Sequence, residues 1–251
     1  MNLSHEANKL LIVGASGTGK STYWTKYVLN SYHVKKFVFD HEGEFAFRHG
    51  MQPVYELTDE IVARNQFIIY DPSEQFEGDV ATAFDYFCDL CFRVCKTISG
   101  PKLFCADEMQ KLVDTYNITP ELSSLMETGR RYEIDTAFVG QQANLLHGRL
   151  RNQLTECVTF RQIDERAIKF LADVGFDETA IRALENLNFI ARNLRTGTQI
   201  SGKIEFDRSL PSIVALDTPA TSVGTEADGG DGDSENLKKC QNVDSVPSSS
   251  S

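Results

Sequence analysis

The sequence predicts an α/β fold: a mainly parallel sheet flanked by helices, ending in a β-hairpin and a disordered tail. Three observations predict it. Short apolar runs alternate with helix-length amphipathic segments, the pattern of βαβ units. The first run ends on a glycine-rich loop that leads into a helix. A stretch rich in Ser, Gly, Asp and Thr closes the chain.

Lys9–Val13 (KLLIV) is apolar at nearly every position, as a strand covered on both faces must be. Residues 21–31 follow as a helix. Residues 36–40 and 66–71 are the next strands, the first ending on Asp40 and the second stopped by Pro72. A long helix covers residues 76–97, and Ser99-Gly100-Pro101 breaks it. Phe84, Phe87, Cys88, Cys91 and Cys95 fall on one stripe of that helix. This makes the cysteines core residues; a zinc site would need a fourth ligand that is not apparent. Residues 102–108 form an apolar strand ending in two carboxylates. Thr119 and Pro120 start a helix over residues 120–131. Strands over 134–139 and 157–161 come next, then helices over 164–174 and 177–186. Residues 189–194 and 199–206 pair as a hairpin, turning at Arg195-Thr196-Gly197.

The chain has 251 residues, enough for one well-filled domain, placed at residues 1–209. Residues 210–251 have too few large apolar side chains to fold and are expected to be disordered. The formal charge is -11, and seven acids against two lysines from Pro211 on put -5 of it on the tail. So acidic a chain is a poor blanket binder of nucleic acid, although a local basic surface remains open. The acidic stretch 226–235 is a solvated tail or a docking segment for a basic surface. No apolar run reaches the roughly 20 residues that span a bilayer. The polar start lacks the apolar core of a signal peptide, and the free cysteines fit a reducing compartment, so a cytoplasmic protein is expected.

Gly14-Ala15-Ser16-Gly17-Thr18-Gly19-Lys20-Ser21 is a phosphate-binding loop. Its glycines let successive N–H groups turn toward phosphate oxygens, and the helix N-terminus, with Thr22 in its first turn, adds its dipole. Lys20 supplies charge for the β- and γ-phosphates, and the Ser21 hydroxyl a ligand for Mg²⁺. Asp107 and Glu108 complete the chemistry. An acid at a strand end beside the loop holds Mg²⁺, directly or through water, and the next acid polarises an attacking water. The alternative is a pair of solvated acids. The paired acids disfavour a small-molecule kinase, and the GTPase motif Asn-Lys-x-Asp is absent. The arrangement resembles the RecA/ASCE-like ATPase branch of the P-loop NTPases, which implies an added catalytic glutamate and an extra central strand.

Several stretches resemble the FtsK/HerA superfamily of DNA-pumping ATPases. Asp40-His41-Glu42-Gly43-Glu44-Phe45 is similar to the family's Asp-x-x-Gly-Glu-Tyr segment after the second strand. Gly129-Arg130-Arg131-Tyr132-Glu133-Ile134 is similar to Gly-Arg-x-x-Gly-Ile, and Val139-Gly140-Gln141-Gln142-Ala143 to Ala-Thr-Gln-Arg-Pro, keeping only the glutamine. Leu150-Arg151-Asn152, Thr159-Phe160-Arg161 and Asp164-Glu165-Arg166 follow in the family's order over roughly residues 8–207. The resemblance implies ATP and Mg²⁺ as cofactors, Gln141 as a polar sensor, and Arg130 as a finger reaching a neighbouring subunit's ATP, with Arg131 in reserve. Arg149 and Arg151 are candidates for a subunit contact or DNA phosphate. The chain resembles most the genome-packaging ATPases of tailless double-jelly-roll viruses with an internal membrane. That implies a homo-oligomeric ring, expected to be a hexamer, that moves double-stranded DNA into a procapsid. Its partners would be capsid-vertex or viral membrane proteins, and it would act in the host cytoplasm or be carried at the packaging vertex. The alternatives are another P-loop DNA motor or phage assembly ATPase (plasmid, conjugation, filamentous phage), and a P-loop kinase or nucleotide switch.

Overall fold

Parallel strands covered on both faces need apolar side chains in both directions, and this chain supplies them. A computed structural model describes residues 6–113, 118–142, 144 and 146–205, and the backbone of 213–216. Six strands run parallel: β1 (Lys9–Val13), β2 (Lys35–Phe39), β3 (Phe67–Tyr70), β4 (Lys102–Ala106), β5 (Ile134–Gly140) and β6 (Glu156–Thr159). Antiparallel β7 (Asn188–Asn193), β8 (Gln199–Ile204) and β9 (Ile213–Leu216) continue the sheet. The order is β3-β2-β4-β5-β1-β6-β7-β8-β9. β5 therefore separates the loop-bearing β1 from the acid-bearing β4, as the extra central strand expected from the sequence.

Alternate residues feed two cores. Leu10, Ile12, Val38 and Leu103 pack with Tyr23, Trp24 and Val28 of α1 (Lys20–Asn30) and Phe45 of α2 (Glu44–His49). Leu11, Val13, Phe37, Phe39 and Phe104 pack with α4 (Val80–Cys95) and α6 (Pro120–Thr128). Cys88, Cys91 and Cys95 are buried in this second core, as their stripe predicts, and burial pushes all three thiols up, Cys95 to about 12.

At the floor of the sheet, where parallel strands begin, lysines turn inward. Lys9 Nζ donates to Met126 O near the end of α6 and to Gln153 Oε1. Lys35 Nζ donates to Val62 O and Ala63 O of α3 (Asp59–Arg64), and Lys36 Nζ to Val28 O and Leu29 O of α1. Lys102 Nζ donates to Ile98 O, just past α4, at 2.6 Å. Lys9, Lys35 and Lys36 thereby satisfy carbonyls in the last turns of helices and meet the negative end of the helix dipole. Burial lowers the pKa of all four.

The differences from expectation have local causes. The long helix starts at Val80, four residues late, because Glu77 and Gly78 take positive φ and Asp79 caps through Thr82 N. The 120–131 helix tightens at Gly129 into a 3₁₀ turn, Gly129–Tyr132. α2, α3, α5 (Met109–Leu112) and α7 (Gly148–Gln153) were not expected; α8 (Glu165–Asp173) and α9 (Glu178–Ala183) were. The sheet runs to Leu216, past residue 209 where the sequence places the domain's end. The rest of the expected tail, with Cys240 and residues 226–235, lies outside the described residues, as do Phe206 and Ala143. Among the described residues, no helix is long and apolar enough to cross a membrane.

Candidate active site

The site begins with the docking of α1. Trp24 Nε1 donates to Ala137 O of β5 at 3.1 Å, and Tyr23 packs edge-on against Phe189, 5.0 Å between centroids. Val13 is followed at once by Gly14, where a Cβ would lie 2.6 Å from Phe160 Cβ and 2.9 Å from Thr18 Oγ1. Gly17 and Gly19 take φ of +74° and +111°, the left-handed region that favours glycine. The loop is tied behind by Ala15 N to Arg161 O (2.9 Å) and Leu187 N to Thr18 O (3.0 Å). Thr18 Oγ1 donates to Ala15 O at 2.8 Å, as does Lys20 Nζ. Gly14, Ala15 and Thr18 thus build the loop, while Ser16, Gly17, Gly19, Lys20, Ser21 and Thr22 face a cavity of about 500 Å³.

Asp107, Glu108 and Gln141 line the same cavity. β4 delivers the acids. Glu108 N donates to Asp107 Oδ1 at 2.7 Å, and Glu108 holds φ +49°. Burial pushes the Asp107 carboxyl up to about 6, reinforced by Glu108 and opposed by the Glu108 N–H and by Lys20. Burial likewise lowers Lys20, opposed by Asp107 and Glu108. Lys111 pairs with Glu108 and, at 2.5 Å, with Glu42. These hydrogen bonds raise the lysine and lower Glu42. Gln141 leaves the end of β5, where its N–H is held by Gln110 Oε1 (3.2 Å) and its carbonyl by Gln162 Nε2 (3.4 Å).

The 40–46 turn supplies the remaining wall. Asp40 is buried and accepts the N–H groups of Phe45 (3.1 Å) and Ala46 (2.8 Å), and Gly43 takes φ +66°. Burial raises the Asp40 carboxyl and lowers His41. Glu42, Glu44 and Arg48, the last two ion-paired, reach the cavity from here, and Gln110 from α5. Sequence reasoning did not place these four in the site. Asp40-x-x-Gly-Glu marked the segment of the first two; Arg48 and Gln110 carried no signal.

Arg130 and Arg131 are not in this chain's own cavity. They lie exposed on the 3₁₀ turn that enters β5, at the floor of the sheet, with Arg130 close enough to act on Lys9. The cavity lies at the other end of β5, a seven-residue strand of roughly 20 Å. Arg149 and Arg151 lie on α7, outside this cavity, Arg151 over the Phe170 ring at 5.3 Å.

A parallel sheet with β5 between loop and acids, and one cavity joining them at the strand ends, defines the P-loop NTPase fold. No family profile and no curated protein matches the sequence. Solved structures do match. The genome-packaging NTPase B204 of Sulfolobus turreted icosahedral virus 2, in complex with ATPγS, superposes with a TM-score of 0.63 at 13% identity, over 78% of this chain and 96% of that one. The same NTPase with sulfate gives 0.64 at 14% identity, over 78% and 95%. EssC (ATPases 2 and 3) from Geobacillus thermodenitrificans gives 0.51 at 12% identity, over 84% and 40%. The fold implied by the FtsK/HerA resemblance is the fold observed.

Proposed function

We propose that the chain is a Mg²⁺-dependent ATPase that drives double-stranded DNA through a homo-oligomeric ring, hexameric, into a viral procapsid. One observation carries the hydrolase reading: two adjacent, partly buried acids share a cavity with a phosphate loop. Ser21 and Asp107 fit a hard divalent cation. Both offer oxygen, and the Asp107 carboxyl, pushed up by burial, is the kind of group a cation restores to its charged form. When bound, Mg²⁺ neutralises charge on the transferred phosphoryl oxygens. The loop amides and Lys20 hold the phosphates, Lys20 exchanging Ala15 O for phosphate oxygen. Glu108 accepts a proton from the attacking water, and Gln141 orients that water.

The motor reading draws on the collinear FtsK/HerA stretches and the fold shared with packaging NTPase B204. The ring reading is supported by Arg130 and Arg131, which lie at the sheet floor, away from this chain's own cavity. Phe47, 88% exposed beside Arg48 at the cavity rim, is a side chain that a neighbouring subunit would cover. The packaging vertex, in the host cytoplasm or the virion, is the proposed place of action.

The test is Glu108→Gln. It should keep ATP binding and lower phosphate release by about 10² to 10⁴-fold. Turnover near the wild-type rate, or phosphate appearing on another acceptor, refutes the hydrolase reading. Double-stranded DNA should stimulate the wild-type rate at low salt; no stimulation of a confirmed ring refutes the motor reading.

A further inference from the structure

Beside the acids lies a nitrogen the proposed hydrolysis does not use. His41 ends the β2 turn with a side chain only 7% exposed, its ring stacked on Phe39 at 5.8 Å and 26°. Its Nε2 is buried and has no hydrogen-bond partner. Buried polar atoms are ordinarily paired, so an orphan calls for an occupant. Nε2 is 4.0 Å from Glu42 Oε1, and the ligand atoms of His41, Glu42 and Glu108 all lie within 4.8 Å of one another. A cation already visits the cluster: the Lys111 ammonium pairs with both carboxylates from a half-exposed side chain that is free to swing out.

We propose that His41, Glu42 and Glu108 form a binding site for a borderline divalent metal such as Zn²⁺, separate from the Mg²⁺ site, and that its occupation displaces Lys111 and withdraws Glu108 from catalysis. One imidazole and two carboxylates are the donors Zn²⁺ takes, with a fourth position left to water. Ligand atoms about such an ion stand roughly 3.4 Å apart, so the cluster needs only a small closure. Glu42, 40% exposed, has room to supply it. The imidazole sets the selectivity. Mg²⁺ prefers an all-oxygen shell and is better served by Ser21 and Asp107, whereas nitrogen favours Zn²⁺. The binding stands on the cluster alone; the inhibition rests on the reading of Glu108 as general base.

The experiment titrates Zn²⁺ into the full nucleotide-free chain, with Mg²⁺ in excess, against a chromophoric chelator. One tight site is expected. His41→Phe keeps a ring on Phe39 without a nitrogen and should weaken that site by at least about tenfold. Glu42→Gln, at a more exposed position, should weaken it as well and decides the matter if the His41 variant fails to fold. Lys111→Met should tighten it several-fold by removing the competing ammonium, an effect that binding elsewhere would not show. Unchanged affinity in the first two variants, or in the third, overturns the site. In a parallel ATPase assay, Zn²⁺ should inhibit wild type and spare His41→Phe relative to its own zinc-free rate. Equal inhibition of both overturns the inhibitory role. A chain without ATPase activity would sink the hydrolase reading while the chelator titration still decides the metal site.

Discussion

Glu108 holds a left-handed backbone that costs an ordinary residue about 1–2 kcal/mol, and the same turn ties its N–H to the Asp107 carboxylate. The strain sits where two acids must stand side by side next to a phosphate loop. Asp107 has a measurable consequence. Its carboxyl is pushed from 3.8 to about 6, so the folded chain holds this proton more tightly than the unfolded chain does. The stability this adds is whole below about pH 4 and is lost as pH rises through about 6. In a chelator, denaturant titrations across that range should show wild type losing about 2–3 kcal/mol relative to Asp107→Asn. Parallel curves would refute the burial account. Gly14 is a steric case. In Gly14→Ala the new methyl would lie 2.6 Å from Phe160 Cβ. Overpacking of this kind costs about 1–3 kcal/mol, and a displaced loop should also lose nucleotide binding in a fluorescent-analogue titration. Wild-type melting and binding would mean that Phe160 yields freely.

Among the elements, α1 carries the loop, and its seat on β5 depends on Trp24. Trp24→Phe removes the buried indole hydrogen bond to Ala137 O, a loss of about 0.5–1.5 kcal/mol readable in the denaturant midpoint. No shift in the midpoint would mean the indole N–H is not what seats the helix. The same contrast explains what the sequence could reveal. β1, β4 and β5 were legible because apolar residues on both faces leave a short segment little alternative to a buried strand. The amphipathic stripe of α4 was equally plain. α2, α3, α5 and α7 were not: four to six residues are too few to nucleate alone, and α9, equally short, was read only as part of a longer segment, 177–186. Their ends are set by the fold: Asp40 receives the first amides of α2, Thr58 caps α3 and His147 caps α7. The illegible part of the site follows from this. Loop and acids announce themselves by type and spacing. Arg48 and Gln110 belong to the cavity only because a short helix, formed in place, presents them.

For the molecule as a whole, β5 decides the spacing of the site. It sets the loop strand and the acid strand two places apart in the sheet. Gln141 therefore leaves the sheet between the glycine-rich loop and the two acids, in the cavity that joins them. The inward lysines of the floor have a consequence of another kind. A lysine that serves carbonyl oxygens inside the protein neutralises no phosphate and frees no counterion from a duplex. Of the chain's 25 basic residues, Lys9, Lys35, Lys36 and Lys102 are already engaged in this way, on a chain whose net charge is -11. Lys102→Met should therefore leave the slope of log K for DNA against log salt unchanged; a shallower slope would place that lysine on the duplex. A subunit this acidic has a weak electrostatic hold on DNA by itself. In the proposed ring, the hold on DNA would come from many weak contacts kept at high effective concentration by closure, so a broken ring should lose its duplex even at low salt.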